Sequence, residues 1–294
     1  MRGGTEVGAP PHPAYRTPPP PIRVSVSGGA IDGSGVAGQD GDMSAHEPSA
    51  ADRPTTASPV AGLRVVVAGA TSESGHAVCA ALAEAGAAVV AVGSNVDKLD
   101  ALVELVPGIA TELCDLSDSA AVDTLALRLT NDPAMAVDGL IHLVGGWVGG
   151  KGIPGQTDEG WAAMERSFRT LRNTTRALYP ALLASPAGRV AFVSSTSVEA
   201  PTASGADYTA AKAASESWMR SLAAGFAADQ PAETGGLRAA AVIFVVKALV
   251  DDHMRALAPG KTFPGFTDVS TLATAVAGLW STPAPALNGT RIRL

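Results

Sequence analysis

Cysteine is nearly absent from this chain: two residues in 294, Cys79 and Cys114. Two cysteines build no disulfide framework, and their spacing fits no zinc motif, so no metal site is expected. Both read as small buried apolar residues, one in a predicted helix and one at a predicted strand end. Lysine and arginine form no cluster, and the net charge is −7. That balance argues against a nucleic-acid surface. No apolar run is long enough to span a membrane. The N-terminal segment lacks the apolar stretch of a secretory signal. Asp32, Asp40, Asp42 and Glu47 interrupt it, unlike a transit peptide. These absences predict a cytoplasmic protein that engages neither membrane nor nucleic acid.

Large apolar residues are scarce in residues 1–60, which hold ten of the 21 prolines and nine of the 32 glycines. Pro18–Pro21 is a run of four prolines and favours polyproline II. Such a segment buries too little surface to offset its ordering entropy, so a disordered tail is expected over 1–60. Met43 is a candidate start inside it. Residues 61–294 suit one domain with a substantial core.

Within that domain, short apolar runs alternate with helical patterns. This rhythm predicts an α/β fold: a doubly wound parallel sheet with right-handed crossovers and helices on both faces. The predicted strands are 64–68, 88–92, 110–113, 139–144, 189–193, 238–245 and 290–294. Their Val/Ile/Leu runs lack alternation, as in strands buried on both faces. Val78, Ala81, Leu82 and Ala85 mark the apolar stripe of the first helix. Val96, Leu99, Leu102 and Val106 mark the second, and Val122, Leu125 and Leu129 the third. Trp161, Met164, Phe168 and Leu171 mark a long fourth. A fifth helix follows, and a last one is expected over 268–280.

That fifth helix carries Tyr208 and Lys212, four residues apart and so on one face. A free phenol has a pKa near ~10 and is a poor catalyst at neutral pH. An ammonium beside it favours the phenolate and lowers that pKa. The pair then donates or accepts a proton at a carbonyl or alcohol oxygen. Ser195 stands thirteen residues before Tyr208, at the end of a predicted buried strand. Further back, Val65-Val-Val-Ala-Gly69-Ala-Thr71-Ser72-Glu73-Ser-Gly75 reads as strand, small-residue turn and helix start, where a nucleotide-binding α/β domain places phosphates.

With these three features the chain resembles the short-chain dehydrogenase/reductase family from about Leu63 to Leu294. The resemblance implies a Rossmann-like domain of about seven strands that binds NADP or NAD. By resemblance, Tyr208 is the general acid or base, Lys212 tunes it and contacts the nicotinamide ribose, and Ser195 hydrogen-bonds the substrate oxygen. Gly69, Thr71, Ser72, Gly75, Ser94, Asp115, Val144 and Gly145, together with Tyr208 and Lys212, would line the cofactor site. No acid follows the second strand at Gly93-Ser94-Asn95, which tips the balance towards NADP. Asp115 matches the family aspartate beside the adenine, or else caps the next helix. A homodimer or homotetramer paired through the fourth and fifth helices is the family's expectation.

The chain departs from the family pattern in several places. Glu73 replaces the middle glycine of the phosphate turn. Either its side chain swings outward and leaves a usable site, or its carboxylate sits over the helix N-terminus where phosphate should bind. His142-Leu143-Val144-Gly145 replaces Asn-Asn-Ala-Gly, and His142 reads as a structural replacement. Ser167 falls where the family has a relay asparagine; Asn173, six residues on, lies roughly 240° around the helix and faces elsewhere. Phe244-Val245 replaces a Pro-Gly, so the sixth strand is free to run longer. Lys247 then opens towards the site or is simply solvated. Residues 248–266 read as a mobile lid. Trp147 either stacks on a substrate or plugs its loop onto the core. The leading expectation is an NAD(P)-dependent oxidoreductase acting on a small carbonyl/alcohol pair. The alternative is a non-redox binding or regulatory module with an impaired cofactor site.

Overall fold

A computed structural model describes residues 57–131 and 136–294. Met43 and all but the last four residues of the expected tail lie outside the described residues. Val60 is fully buried and packs in the core. The chain runs through β1 (Arg64–Ala68), α1 (Glu73–Glu84), β2 (Ala88–Gly93), α2 (Val96–Leu105), β3 (Ala110–Leu113) and α3 (Ser119–Thr130). It continues through β4 (Gly139–His142), α4 (Asp158–Ala184), β5 (Arg189–Ser195), α5 (Ala206–Asp229) and β6 (Ala240–Val246). The last third holds β7 (Leu249–Val250), α6 (Asp252–Leu257), β8 (Thr267–Asp268), α7 (Val269–Ala277), α8 (Ala284–Leu287) and β9 (Arg291–Arg293).

Seven strands form one parallel sheet in the order β3-β2-β1-β4-β5-β6-β9. The chain leaves β1 in one direction, then returns to its other side at β4. Loops therefore diverge at the carboxyl ends of β1 and β4, which opens a crevice there.

Successive strand residues point to opposite faces. Val65, Val67, Ile141, Val242 and Phe244 pack against Leu82 of α1 and Leu272 of α7. Val66, Leu140, Val190, Ile243 and Val245 pack against Leu171 and Leu182 of α4 and Met219 and Phe226 of α5. Both faces are dry, so alternation disappears and the strands read as continuous apolar runs. The edge strands are the exceptions: Ala110, Thr111 and Leu113 of β3 and Arg293 of β9 are exposed. Val96 and Trp161 depart from the predicted stripes, at 53% and 44% exposed. Both stand in the first turn of their helices, where burial of the stripe begins only at Leu99 and Met164.

Five strands differ from the predicted bounds, β2 by one residue at one end and β9 by one at each end, and the differences at β4, β5 and β6 matter for the site. β4 stops at His142, so Leu143 to Gly150 run as an irregular loop. β5 extends through Ser194 and Ser195, which pair with Val245 and Val246. β6 continues to Val246, which fits the loss of Pro-Gly. The segment expected as a lid holds β7 and α6, and β7 pairs in parallel with β8 just beyond it, Leu249 opposite Thr267. The last predicted helix ends at Ala277 and tightens into a 3-10 turn over Gly278–Ser281. Among the described residues no helix is long and apolar enough to cross a membrane.

Arg189 fixes the start of β5. It is 4% exposed and donates to the carbonyls of Leu279 (3.2 Å), Gly188 (2.9 Å), Arg238 (2.9 Å) and Thr282 (3.0 Å). Arg189→Met strips four carbonyls of this donor. It should lower stability by about 2 kcal/mol or more, read as a lower urea midpoint. An unchanged midpoint would remove Arg189 from this role.

Candidate active site

The turn from β1 to α1 is shaped by glycine. Gly69 has φ +82°, and a Cβ there would stand 2.9 Å from Val144 N and 3.0 Å from Leu143 C. Only glycine reaches this conformation and lets the turn touch the end of β4. At Gly75 any side chain would collide with the Ala70 carbonyl. Ser72 caps α1: its Oγ accepts from Gly75 N at 3.1 Å and donates to Gly69 O at 2.9 Å. Glu73 opens the helix with its side chain 55% exposed and Oε2 3.9 Å from His76 Nδ1. Of the two alternatives for Glu73, the structure has the outward one. A carboxylate there also complements the helix dipole.

A groove of about 580 Å³ runs over the carboxyl ends of β1, β2 and β3. Gly69, Thr71, Ser72, Ser94, Asp115, Val144 and Gly145 all line it. Gly75 does not line it and acts underneath by letting α1 pack onto the turn. Asp115 accepts from Ser117 N (2.9 Å) and Ser117 Oγ (2.7 Å). These bonds, with Arg166 contributing less, hold its carboxyl below the usual range. It is not a helix cap: α3 is capped by Asp118, which accepts from Ala120 N at 2.9 Å. Lys98, Met164 and Arg166 also line the groove, and sequence reasoning missed them. Lys98 carried one signal, its place three residues after the helix cap Asn95.

A second cavity, about 370 Å³, adjoins the groove and shares Ser72, Leu143, Val144, Gly145 and Gly146 with it. Ser195, Tyr208 and Lys212 line this cavity together. Ser195 is 3% exposed, and its Oγ accepts from Ser197 N at 3.1 Å. Lys212 Nζ donates to Val193 O at 2.8 Å and stands 4.6 Å from the Phe192 ring centroid and 5.8 Å from that of Tyr208. A Cβ on Gly145 would lie 3.5 Å from Lys212 Nζ and 3.2 Å from Ser167 Oγ. The bare Gly145 backbone thus leaves space between groove and cavity.

Burial dominates the electrostatics here. It pushes the Tyr208 phenol up, with the Ser195 hydroxyl working against it. It lowers Lys212 to about 8, with the Glu216 carboxylate opposing. The expected depression of Tyr208 by Lys212 is not the outcome, because the ammonium is directed onto Val193 O and the Phe192 ring. His142 is fully buried, with Nε2 3.1 Å from Thr170 Oγ1 and Nδ1 unpartnered. Desolvation, then the Lys212 charge, hold it down to about 3. A neutral buried imidazole fits its structural reading.

Asn173 donates to the carbonyls of Leu116 (3.1 Å) and Ser117 (3.2 Å) and faces away from the cavity. Ser167 Oγ donates to Val144 O at 3.3 Å. Lys247 lines the cavity but donates to Pro264 O at 2.9 Å, so it ties down residues 248–266 rather than standing free. Trp147 lines the cavity at 67% exposed and does not plug its loop onto the core.

Residues 64–231 match the family described as short chain dehydrogenase. A short chain dehydrogenase of Pseudocercospora fijiensis is 30% identical over 169 residues, 55% of this chain and 54% of that protein. The chain thus spans about half the length of this curated relative. Among solved structures, a short-chain type dehydrogenase/reductase from Mycobacterium ulcerans is similar at TM-score 0.69 and 20% identity, covering 80% of this chain and 88% of the other. An NADPH-bound short chain oxidoreductase from Pseudomonas aeruginosa, described as containing an atypical catalytic center, is similar at TM-score 0.66 and 22% identity, covering 80% and 96%.

The lowered Lys212 pKa predicts a pH dependence of stability. Below about 8 the ammonium is charged in both folded and unfolded chains, and burial penalises the fold in full. Between about 8 and the ordinary 10.5 the folded chain releases this proton and the unfolded chain keeps it. Stability attributable to Lys212 therefore rises with pH across that window. Denaturant midpoints of wild type should gain on those of Lys212→Met as pH rises through it. A constant difference would contradict the burial of this charge.

Proposed function

The chain belongs to the short-chain dehydrogenase family, and from that premise we propose that it is an NAD(P)-dependent oxidoreductase interconverting a carbonyl and an alcohol. The observation that carries this reading is the convergence of Ser195, Tyr208 and Lys212 on one cavity that opens past Gly145 into the groove. The nicotinamide cofactor, when bound, supplies or accepts the hydride. The small-residue turn from Gly69 to Ser72 and the start of α1 would hold its phosphates through backbone N–H groups. Val144 and Gly145 would face the nicotinamide half, and Ser94 and Asp115 the adenosine half.

Within the cavity, Tyr208 would pass a proton to or from the substrate oxygen, and Ser195 would hold that oxygen by a hydrogen bond. Lys212 would add positive charge beside the developing oxyanion. Burial raises the Tyr208 phenol, so proton transfer there would depend on positive charge from Lys212 and the bound cofactor bringing it back down. NADP is the favoured coenzyme: Lys98 joins Ser94 in the groove without a competing acid after β2, and the similar Pseudomonas protein holds NADPH. The substrate is a small molecule, and pairing of α4 and α5 with a second copy would give a homodimer or homotetramer. A second reading, a non-redox binding or regulatory module, draws on Glu73, His142 and the missing Pro-Gly.

Tyr208→Phe should lower kcat/KM on any reducible carbonyl by about 10²–10⁴-fold while leaving NADPH affinity unchanged. Full activity in that variant would remove Tyr208 from the chemistry. Because Glu73 points outward, Glu73→Gly should tighten cofactor binding by less than about fivefold, the scale of an exposed charge. A gain of tenfold or more would show that its carboxylate obstructs the site.

A further inference from the structure

Tyr208, Lys212, Glu216 and Arg220 follow one another at four-residue spacing along α5, one ladder on one face. Glu216 is the unusual rung. It is fully buried, where an unpaired carboxylate is costly. Its Oε1 accepts from Ser194 Oγ at 2.7 Å. Arg220 reaches its Oε2 at 2.8 Å from the next turn. Arg291 of β9 meets both oxygens, at 3.0 and 3.1 Å. Arg291 also pairs with Glu199, just after the 3-10 turn that follows β5. Arg293 reaches Glu199 at 2.7 Å. One buried carboxylate therefore joins the catalytic helix, the Ser194 neighbour of Ser195 and the last strand of the sheet.

We propose that Glu216 is a positioning residue for the site: a buried counter-charge that steadies the Lys212 ammonium and locks the Ser194–Ser195 strand end to β9. The proposal rests on the oxidoreductase reading for its catalytic meaning, since it acts through Lys212 and Ser195. Packing alone does not call for a carboxylate, because apolar residues of similar volume usually replace buried ion pairs without loss. Lys212 has other charged and titratable neighbours: Tyr208 on its own helix, His142 on β4, and Lys247 across the cavity. His142 is neutral and Lys247 is a cation, so among these Glu216 supplies the negative charge. Its attraction opposes the desolvation that lowers Lys212.

The test reads Lys212 directly in the full chain, without substrate. Its reactivity towards acetic anhydride is followed against pH by mass spectrometry of the Lys212 peptide. Wild type should titrate near 8. Glu216→Gln, which keeps the shape, should move that midpoint down by about one unit. Arg291→Gln removes a cation and leaves the carboxylate, so it should move the midpoint up. A merely structural loosening would shift both variants in the same direction. An unchanged midpoint in Glu216→Gln, or shifts of the same sign in both, would overturn the proposal. If Glu216→Gln fails to fold, Arg291→Gln is compared with Arg291→Lys, which keeps the cation: a rise confined to Arg291→Gln supports the proposal, and an equal shift in both, no shift, or a fall overturns it. Opposite shifts in a protein that binds no nicotinamide cofactor would uphold the coupling and contradict the oxidoreductase reading.

Discussion

The site depends on a contact between two backbones. The turn after β1 presses against the Leu143–Val144 peptide at the end of β4, and position 69 fits there only without a side chain. That contact fixes where the two diverging loops part, and so where the crevice opens. The groove lies on one side of it and the cavity lined by Ser195, Tyr208 and Lys212 on the other, with Val144 and Gly145 shared between them. β4 and β5 then set the remaining distances. β5 runs on to deliver Ser195, and α5 packs back across β5 to bring Tyr208 and Lys212 alongside.

Burial sets the chemistry within that frame. It raises the phenol, draws the lysine to about 8 and keeps the histidine neutral by drawing it to about 3. A low-dielectric cavity strengthens every remaining charge, so few charges are needed and each must be placed. In the proposed arrangement the Glu216 network supplies a counter-charge one layer behind Tyr208, Lys212 and Ser195. Lys247, which the sequence offered as a candidate at the cavity mouth, is instead used to hold the segment after β6.

Much of this was legible in the sequence because parallel strands buried on both faces leave a strong signature. Strand β1, buried from Val65 to Ala68, has the bounds its apolar run predicts. The Ser195, Tyr208 and Lys212 spacing brought out three residues that line one cavity, and helical geometry separated Ser167 from Asn173. What escaped the sequence depends on tertiary contact. The outward direction of Glu73 belongs to its side chain, which the motif does not report. The rise of Tyr208 follows from burial, which spacing does not report. Lys98 and Arg166 reach the groove from separate helices. Nothing in the spacing marks Glu216, whose pairing with Arg291, 75 positions later, exists only in the fold.

The most direct test of the central claim is a fluorescence titration of the purified protein with NADPH and with NADH. The account predicts saturable binding with a dissociation constant on the order of micromolar and NADPH the tighter ligand. Absence of binding by both, in a protein shown to be folded, would contradict it.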